Sequence, residues 1–346
     1  MKRLLAAALC AALPVAAGVA LAQGAGDGDG VDRPNSYPFA APLGKDSGAF
    51  KAGPATAVNK GAFNKNTWKY GTRYNVPAGT PLWNPAMIKL KAGGKVYSAT
   101  VNGNATPEQY CNQANNEQND FIWIEMQHAP GTWHDVANMW NACPGIKGLG
   151  TGTGHAVHGV RIPTTNEFDI QHATDMGAMV VVVPTMDTAA EAREAAKWTF
   201  FPPMGRRSAG SNVAGQQQYW GAAPGGYRNT YNQNLVLILM IETLDGLQEA
   251  DAIAKVPGVS ALFAASSDLG NFTGYAQGDA DYERAINIVH DATLKAKIRL
   301  CGPSSWYDRP DFTCFQGGPP QPGGRGRGGR GRGARGAAPA EAPAAQ

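Results

Sequence analysis

The sequence has little excess charge and few cysteines, and each shortage excludes a class of protein. Its 346 residues carry 30 basic and 27 acidic side chains, which leaves a formal net charge of only +3 at pH 7. Because so small a charge creates no overall basic field, we predict no nucleic-acid partner. None of the 5 cysteines has Cys-x-x-Cys spacing, which argues against a zinc ribbon or a thioredoxin-like redox site.

The first residues have the features of a secretory signal peptide. A cationic start precedes an Ala- and Leu-rich run over residues 4–21, which Pro14 interrupts and which ends in an Ala-x-Ala motif. A membrane anchor is the alternative, since the run is nearly long enough to span a bilayer. The internal proline and the small residues favour cleavage. We therefore expect a signal peptide over residues 1–22 and a periplasmic or secreted protein without stable membrane insertion.

Cleavage would leave an even number of cysteines, Cys111, Cys143, Cys301 and Cys314, in an oxidising compartment. The first two fall in or near consecutive predicted helices, and the last two lie close together beyond the last predicted strand. We predict the disulfides Cys111–Cys143 and Cys301–Cys314.

Both ends of the mature chain lack the periodicity of folded elements. Residues 23–83 are rich in Gly, Pro, Asn and Lys, which predicts an irregular extension whose aromatic residues Trp68, Tyr70, Tyr74 and Trp83 are candidates for packing on the folded domain. Residues 316–346 contain Gly-Arg repeats and an Ala/Pro stretch, which bury too little apolar surface to fold. We predict a disordered tail there, either simply solvated or in contact with anionic cell-envelope material.

The middle of the chain alternates short apolar strands with helices. The predicted strands are Lys95–Val101, Phe121–Gln127, Ala156–Ile162, Ala178–Val183, Leu235–Ile241, Ser260–Ala265 and Lys297–Cys301, with an eighth near Phe200–Pro202. The predicted helices are Pro107–Asn115, Trp133–Ala142, Asp187–Lys197, Leu247–Lys255 and Asp281–Ala296, the first two capped by Thr106 and Thr132. This alternation predicts an α/β fold with a parallel sheet. Residues 84–315 fit a closed (β/α)8 TIM barrel, and an open doubly wound sheet is the alternative.

Four of these strands deliver ionisable groups at their carboxyl ends, namely Glu125 with His128, Arg161, Glu242 and Asp268. In a parallel barrel these ends converge on the face where active sites are built. Glu242 and Asp268 offer hard oxygen ligands for a divalent ion such as Mg²⁺ or Mn²⁺, although either could instead cap the following helix. His128, with a carboxylate three residues before it, suits proton transfer. The other five histidines are predicted to be solvated or structural.

Several segments resemble the HpcH/HpaI aldolase/citrate lyase family. Ile124–Pro130 is similar to that family's Asp-x-Glu-His-Ala-Pro element, and Val160–Pro163 to its Val-Arg-x-Pro strand end. Residues 202–210 resemble its Pro-Pro-x-Gly-x-Arg-x-x-Gly loop, and Glu242 and Asp268 stand at its two metal-ligand strand ends. These motifs occur in family order over residues 84–303.

The resemblance implies a barrel that cleaves or forms a carbon–carbon bond next to a 2-oxo acid, without a Schiff-base lysine. A divalent metal ion, Mg²⁺ or Mn²⁺, held by Glu242 and Asp268, would stabilise the enolate of pyruvate. Arg161 would neutralise charge on the keto or enolate oxygen, and His128, steered by Glu125, would move the proton. The predicted substrate-binding residues are Ala265, Ser266, Ser267 and Gln127. The resemblance also implies homo-oligomers, as trimers or hexamers.

The chain departs from the family's pattern at the substrate lining. Glu125 stands where Asp is usual, Gln127 replaces a Glu, and Met240 replaces a Gln that would contact the substrate. Ala265–Ser267 replaces Gly-Pro-Ala. We interpret the chain as a metal-dependent lyase. The alternatives are an exported carboxylate-binding protein on a degenerate barrel, and a structural envelope protein attached through its tail.

Overall fold

A computed structural model describes residues 64–71, 75–150, 152, 154–210 and 218–320. The predicted signal peptide, residues 23–63 of the predicted extension and residues 321–346 of the predicted tail lie outside this part of the chain. No helix within the described ranges is long and apolar enough to cross a bilayer.

Eight parallel strands close into one barrel, and each strand pairs with its neighbours in chain order. The strands are β1 Val96–Asn102, β2 Phe121–Glu125, β3 Val157–Arg161, β4 Val180–Val183, β5 Val236–Ile241, β6 Ala261–Ala264, β7 Arg299–Pro303 and β8 Phe312–Gln316. The pairing of β8 with β1 closes the barrel, so the predicted (β/α)8 fold is confirmed over an open sheet. Strands β2 to β6 are buried at every residue, as the apolar runs indicated.

Helices lie between the strands. They are α1 Pro85–Ala92, α2 Pro107–Ala114, α3 Trp133–Ala142, α4 Glu167–Asp175, α5 Ala189–Thr199, α6 Tyr227–Asn234, α7 Leu244–Ala254, α8 Ser266–Thr273 and α9 Ala280–Ala296. The predicted caps are confirmed, because Thr106 and Thr132 each accept a hydrogen bond from the main chain three residues on, in capping boxes. The sequence did not indicate α1, α4, α6 or α8, which have eight or nine residues and bury no more than four each.

The prediction of an eighth strand near Phe200–Pro202 is wrong. Phe200 ends helix α5, and the main chain of Phe201 exchanges hydrogen bonds of 2.9 Å with the Asn232 side chain instead of with a strand. The apolar Phe-Phe pair is buried by side-chain packing, which a short apolar run does not distinguish from strand burial. The eighth strand is Phe312–Gln316, so Gln316, the first residue assigned to the predicted tail, belongs to the barrel.

The structure joins the cysteines in two pairs. Cys111 of α2 bonds Cys143 at the end of α3, with 5.4 Å between their Cα atoms. Cys301 bonds Cys314 with 4.3 Å between Cα atoms. These last two residues face each other in β7 and β8 and therefore lie within the barrel wall. The sequence had suggested a position beyond the last strand.

The end of the predicted extension packs on the barrel through Trp83 and the partly buried Leu82. The Trp83 indole is buried, donates a 2.9 Å hydrogen bond from Nε1 to Oγ1 of Thr230, and lies 5.5 Å from the Trp220 ring. Trp68 and Tyr70 are exposed, and Tyr74 lies outside the described residues. Residues 64–71 and 75–84 contain no helix or strand.

Candidate active site

A cavity of about 260 Å³ opens at the carboxyl ends of the strands, where the sequence placed the site. Its wall is formed by His128, Arg161, Met240, Phe263, Ala265, Ser266, Ser267, Asp268 and Gln316. Six of the nine predicted site residues therefore share one cavity. The other three predicted residues lie next to wall residues in the chain or in space, and their contacts differ. They are Glu125, Gln127 and Glu242.

Arg161 and Glu125 form a buried ion pair across β3 and β2, where they are register partners. The Nε of Arg161 donates to Oε2 of Glu125 at 2.6 Å, and Nη2 of Arg161 pairs with the same oxygen. The remaining guanidinium nitrogen, Nη1, lies 3.8 Å from the sulfur of Met240. Since a thioether is a weak acceptor, Nη1 keeps the capacity to donate to a ligand oxygen.

The second oxygen of Glu125 holds the loop that carries His128. It accepts hydrogen bonds from the main-chain amides of Gln127 at 2.8 Å and of His128 at 3.0 Å. Glu125 thus steers His128 through its main chain, whereas the sequence had suggested a contact with the imidazole. The His128 side chain is exposed on the cavity wall. The Gln127 side chain is half-buried, and its Oε1 has no partner among the described residues.

A close approach of two glycines fixes the same loop from the other side. A Cβ built on Gly131 would lie 2.5 Å from the carbonyl carbon of Gly103, at the end of β1. The amide of Gly103 in turn donates to the carbonyl of Glu125 at 2.9 Å. Any side chain at Gly131 would therefore displace the segment that carries His128.

Glu242 follows β5 and is 3% exposed. Its Oε2 accepts two hydrogen bonds from Thr185, one from the amide at 2.6 Å and one from the hydroxyl at 2.8 Å. Thr185 has a φ of 47°, a left-handed conformation that is rare for a β-branched residue. Because such a backbone costs about 1–3 kcal/mol, its surroundings must enforce it. Thr185 was not identified from the sequence.

Neither acidic residue caps a helix, so the capping alternative is wrong. The cap of α7 is Thr243, whose hydroxyl accepts from the amide of Gly246 at 3.0 Å. Helix α8 begins after Ala265 without a side-chain cap, and Asp268 lies in its first turn. The first amides of α8 accordingly remain available at the cavity wall, where a helix amino terminus favours an anionic group.

The second oxygen of Glu242, Oε1, is buried without a hydrogen-bond partner among the described residues. Burial raises the pKa of the Glu242 carboxyl and the nearby Asp268 carboxylate raises it further, while the Thr185 hydrogen bonds and the Arg161 charge lower it. An acceptor without a donor, beside a second carboxylate, fits a divalent cation, because the ion would satisfy the oxygen and offset the repulsion.

The described residues contain no group of three or more His, Cys, Asp and Glu side chains that could hold a metal ion. Glu242 and Asp268 would therefore supply two oxygen ligands and leave further positions for water and substrate. Two oxygen ligands with open positions suit Mg²⁺ or Mn²⁺ better than Zn²⁺, which structural sites enclose with four protein ligands.

Two residues of the cavity wall escaped sequence reasoning. Phe263 lies in an apolar run with nothing to distinguish it, and its ring is 5.3 Å from that of Trp123. Gln316 stood at the start of the predicted tail, because the last strand was not recognised. The Gly-rich sequence that follows it hid the strand signal.

Comparisons with known proteins show the family of this chain. The sequence model of HpcH/HpaI aldolase/citrate lyase matches residues 103–302. A 2-keto-3-deoxy-L-rhamnonate aldolase of Klebsiella pneumoniae subsp. pneumoniae is 31% identical over 169 residues, which are 48% of this chain and 60% of that aldolase. A 2-dehydro-3,6-dideoxy-6-sulfogluconate aldolase of Pseudomonas putida is 30% identical over 181 residues, which are 51% of this chain and 65% of that relative. The chain thus matches less than two thirds of the length of these two curated aldolases.

A solved structure has the same fold. The HpcH/HpaI aldolase/citrate lyase family protein of Burkholderia cenocepacia J2315 superposes with a TM-score of 0.58 at 24% identity, covering 68% of this chain and 93% of that chain. The matched residues 103–302 make up more than half of the chain and contain the Arg161–Glu125 pair, His128 and both acidic residues. This protein belongs to the HpcH/HpaI aldolase/citrate lyase family.

Proposed function

We propose that this protein is a divalent-metal-dependent carbon–carbon lyase acting on a 2-oxo acid that yields pyruvate and an aldehyde. The observation that carries the proposal is the buried, unpartnered Oε1 of Glu242 beside Asp268, next to a cavity that also contains Arg161 and His128. Its relatives are aldolases, which supports a reaction at a carbon–carbon bond.

Each residue has a separate task in this proposal. A Mg²⁺ or Mn²⁺ ion held by Glu242 and Asp268 would supply Lewis-acid stabilisation of developing negative charge. Arg161 donates from Nη1 to the keto oxygen, while Glu125 keeps the guanidinium oriented. The amides at the start of α8, over Ser266 and Ser267, hold the substrate carboxylate.

His128 moves the proton. In the cleavage direction it removes the proton from the hydroxyl next to the bond that breaks, and the aldehyde carbonyl forms there. The electron pair of that carbon–carbon bond passes to the enolate of pyruvate. Protonation of the enolate carbon from solvent then gives the methyl group of pyruvate, and His128 releases its proton to solvent.

Solvent deuterium exchange tests the proposal. Purified protein with Mn²⁺ should exchange deuterium into the methyl group of pyruvate, measured by NMR, faster than Mn²⁺ alone. Glu242→Gln and Asp268→Asn should both lose Mn²⁺ binding and exchange. Glu108→Gln, an exposed acidic residue in the first turn of α2, is the matched control and should change neither. Exchange no faster than with free Mn²⁺ in the wild type would remove the proposal.

We also propose that the protein is exported and that its paired cysteines are oxidised there. The apolar amino-terminal run and the two cysteine pairs support this proposal. A mature amino terminus at Gln23 in the periplasmic or secreted fraction is expected, and an uncleaved cytosolic chain would contradict it. A trimer or hexamer is proposed from the family, and light scattering of the purified protein tests it.

A further inference from the structure

We propose that Gln316 is a substrate-specificity residue, which binds a hydroxyl group on the aldehyde half of the substrate. It would supply a polar contact that the apolar side chain of Met240 in the same cavity wall cannot make. The inference rests on the proposed lyase function. It concerns a residue beyond the segment 103–302 that the family model matches.

Gln316 faces the barrel interior. In β8 it lies two residues after Cys314, which pairs with Cys301 of β7, and Cys301 in turn pairs with the cavity residue Phe263. Side chains two apart on a strand share a face. On the other side, Gln316 is the register partner of Ser98 in β1. The strand pairing therefore places Gln316 one layer above the Cys301–Cys314 disulfide, at the cavity.

The side-chain amide of Gln316 is free to bind a ligand. The residue is half-buried, and its side chain makes no hydrogen bond within the described part of the chain. An amide offers two donors and one acceptor with no net charge, which matches a hydroxyl group better than a phosphate or a carboxylate.

Met240, unlike Gln316, offers the substrate an apolar surface. It is 2% exposed, pairs with Phe263 across β5 and β6, and presents only its sulfur to Nη1 of Arg161. Together Met240 and Phe263 form an apolar part of the cavity wall. Apart from Arg161, which is paired with Glu125, the wall contains no lysine or arginine. The chemistry therefore favours an uncharged hydroxyaldehyde as the second substrate of the condensation reaction.

Substitution of Gln316, alone and together with Met240, tests this assignment. Condensation of pyruvate with glycolaldehyde, which carries a hydroxyl, is compared with condensation of pyruvate with propanal, which does not. Gln316→Leu should raise the KM for glycolaldehyde about tenfold, the size expected for one lost hydrogen bond, and should raise the KM for propanal much less. The double variant Met240→Gln/Gln316→Leu should recover most of the preference for glycolaldehyde.

Gln316→Glu is a second test variant and Gln248→Leu is the control. Glu keeps the shape of Gln316 and an acceptor but loses both amide donors, so Gln316→Glu should lose part of the preference for glycolaldehyde. Gln248 is exposed on α7, and its substitution should change neither KM. Thermal unfolding checks that each variant folds. An equal KM change for both aldehydes, or none, in Gln316→Leu and Gln316→Glu would overturn the assignment. A wild type that neither exchanges deuterium into pyruvate nor condenses it with an aldehyde would instead overturn the lyase function and, with it, this inference.

Discussion

Thr185 binds Glu242 twice through one carboxylate oxygen, with its amide and with its hydroxyl, from a left-handed backbone conformation. The other oxygen of Glu242 is thereby left without a partner among the described residues. Thr185, in a strained backbone conformation, thus orients the buried Glu242. Substitution can separate the effect of the strain on stability from the effect of the orientation on metal binding.

Thr185→Gly should separate them. Glycine accepts the left-handed φ without the steric cost, so the free energy of unfolding should stay level or rise by up to about 1 kcal/mol. The lost hydroxyl should weaken Mn²⁺ binding about tenfold, measured by calorimetry, because one charge-assisted hydrogen bond to Glu242 disappears.

Thr185→Ser keeps the hydroxyl and should retain Mn²⁺ affinity. Lys297→Gly relieves another left-handed residue, at the end of α9, and should raise stability without changing Mn²⁺ binding. Mn²⁺ affinity that is equal in Thr185→Gly and the wild type would show that the hydroxyl does not orient Glu242.

Removal of Glu125 should leave Arg161 as a buried cation without its partner. We expect Glu125→Ala to reduce the free energy of unfolding by about 3–5 kcal/mol in urea titrations, the usual cost of breaking a buried pair. The loop at His128 should also loosen, because two of its amides lose their acceptor.

The exposed pair Glu194–Lys197 on α5 is the matched control, and Glu194→Ala should be far milder. In the double-mutant cycle with Arg161→Ala, the two buried substitutions should not be additive. Additive losses would mean that the pair is not coupled.

The protein should lose stability below neutral pH because of His158. This residue of β3 is fully buried, stacks on Trp140 with 4.6 Å between ring centroids, and has Nε2 3.2 Å from the carbonyl oxygen of Cys143. Burial lowers its pKa from 6.5 to about 3, although the Cys143 contact opposes this shift. The folded protein therefore keeps His158 neutral, while the unfolded chain takes up a proton below pH 6.5.

The stabilising contribution of a neutral His158 is thus complete above pH 6.5 and is lost as the pH falls toward 3. Between pH 7 and pH 5 the expected loss is about 2 kcal/mol, from one proton bound on unfolding. His158→Phe keeps an aromatic ring and should remove this part of the pH dependence in urea titrations at the two pH values. The same pH dependence in His158→Phe and the wild type would refute the role of His158 in the loss of stability at low pH.

The two disulfides should differ in their effect on stability. Cys111 and Cys143 are 32 residues apart and Cys301 and Cys314 are 13 apart, so loss of the first bond should cost about 4 kcal/mol and loss of the second about 3 kcal/mol by chain entropy. Urea titrations of the two Cys→Ala double variants measure these losses, with the oxidised wild type as reference. Four alkylated thiols in the mass spectrum of unreduced exported protein would contradict both bonds.

The acidic residues and the parallel arrangement of the strands could be predicted from local sequence. A buried strand on both faces requires a continuous apolar run, so an ionisable residue that follows such a run marks the strand's end. Glu242 and Asp268 were identified in this way, and the parallel barrel brings their strand ends to one face. Local sequence failed where burial came from side-chain packing, as at Phe200, and where low-complexity sequence followed a strand, as at Gln316.

The sequence by itself determined the alternation of strands and helices, hence a parallel sheet, and the ionisable groups at its carboxyl ends. Only the tertiary structure decided that this sheet closes into a barrel and which partners hold the carboxylates, because the deciding contacts join residues far apart in the chain. Thr185 meets Glu242 across 57 residues, and Arg161 occupies Glu125 across 36. A hydrogen bond between distant strands depends on the register and closure of the sheet, which no local pattern contains.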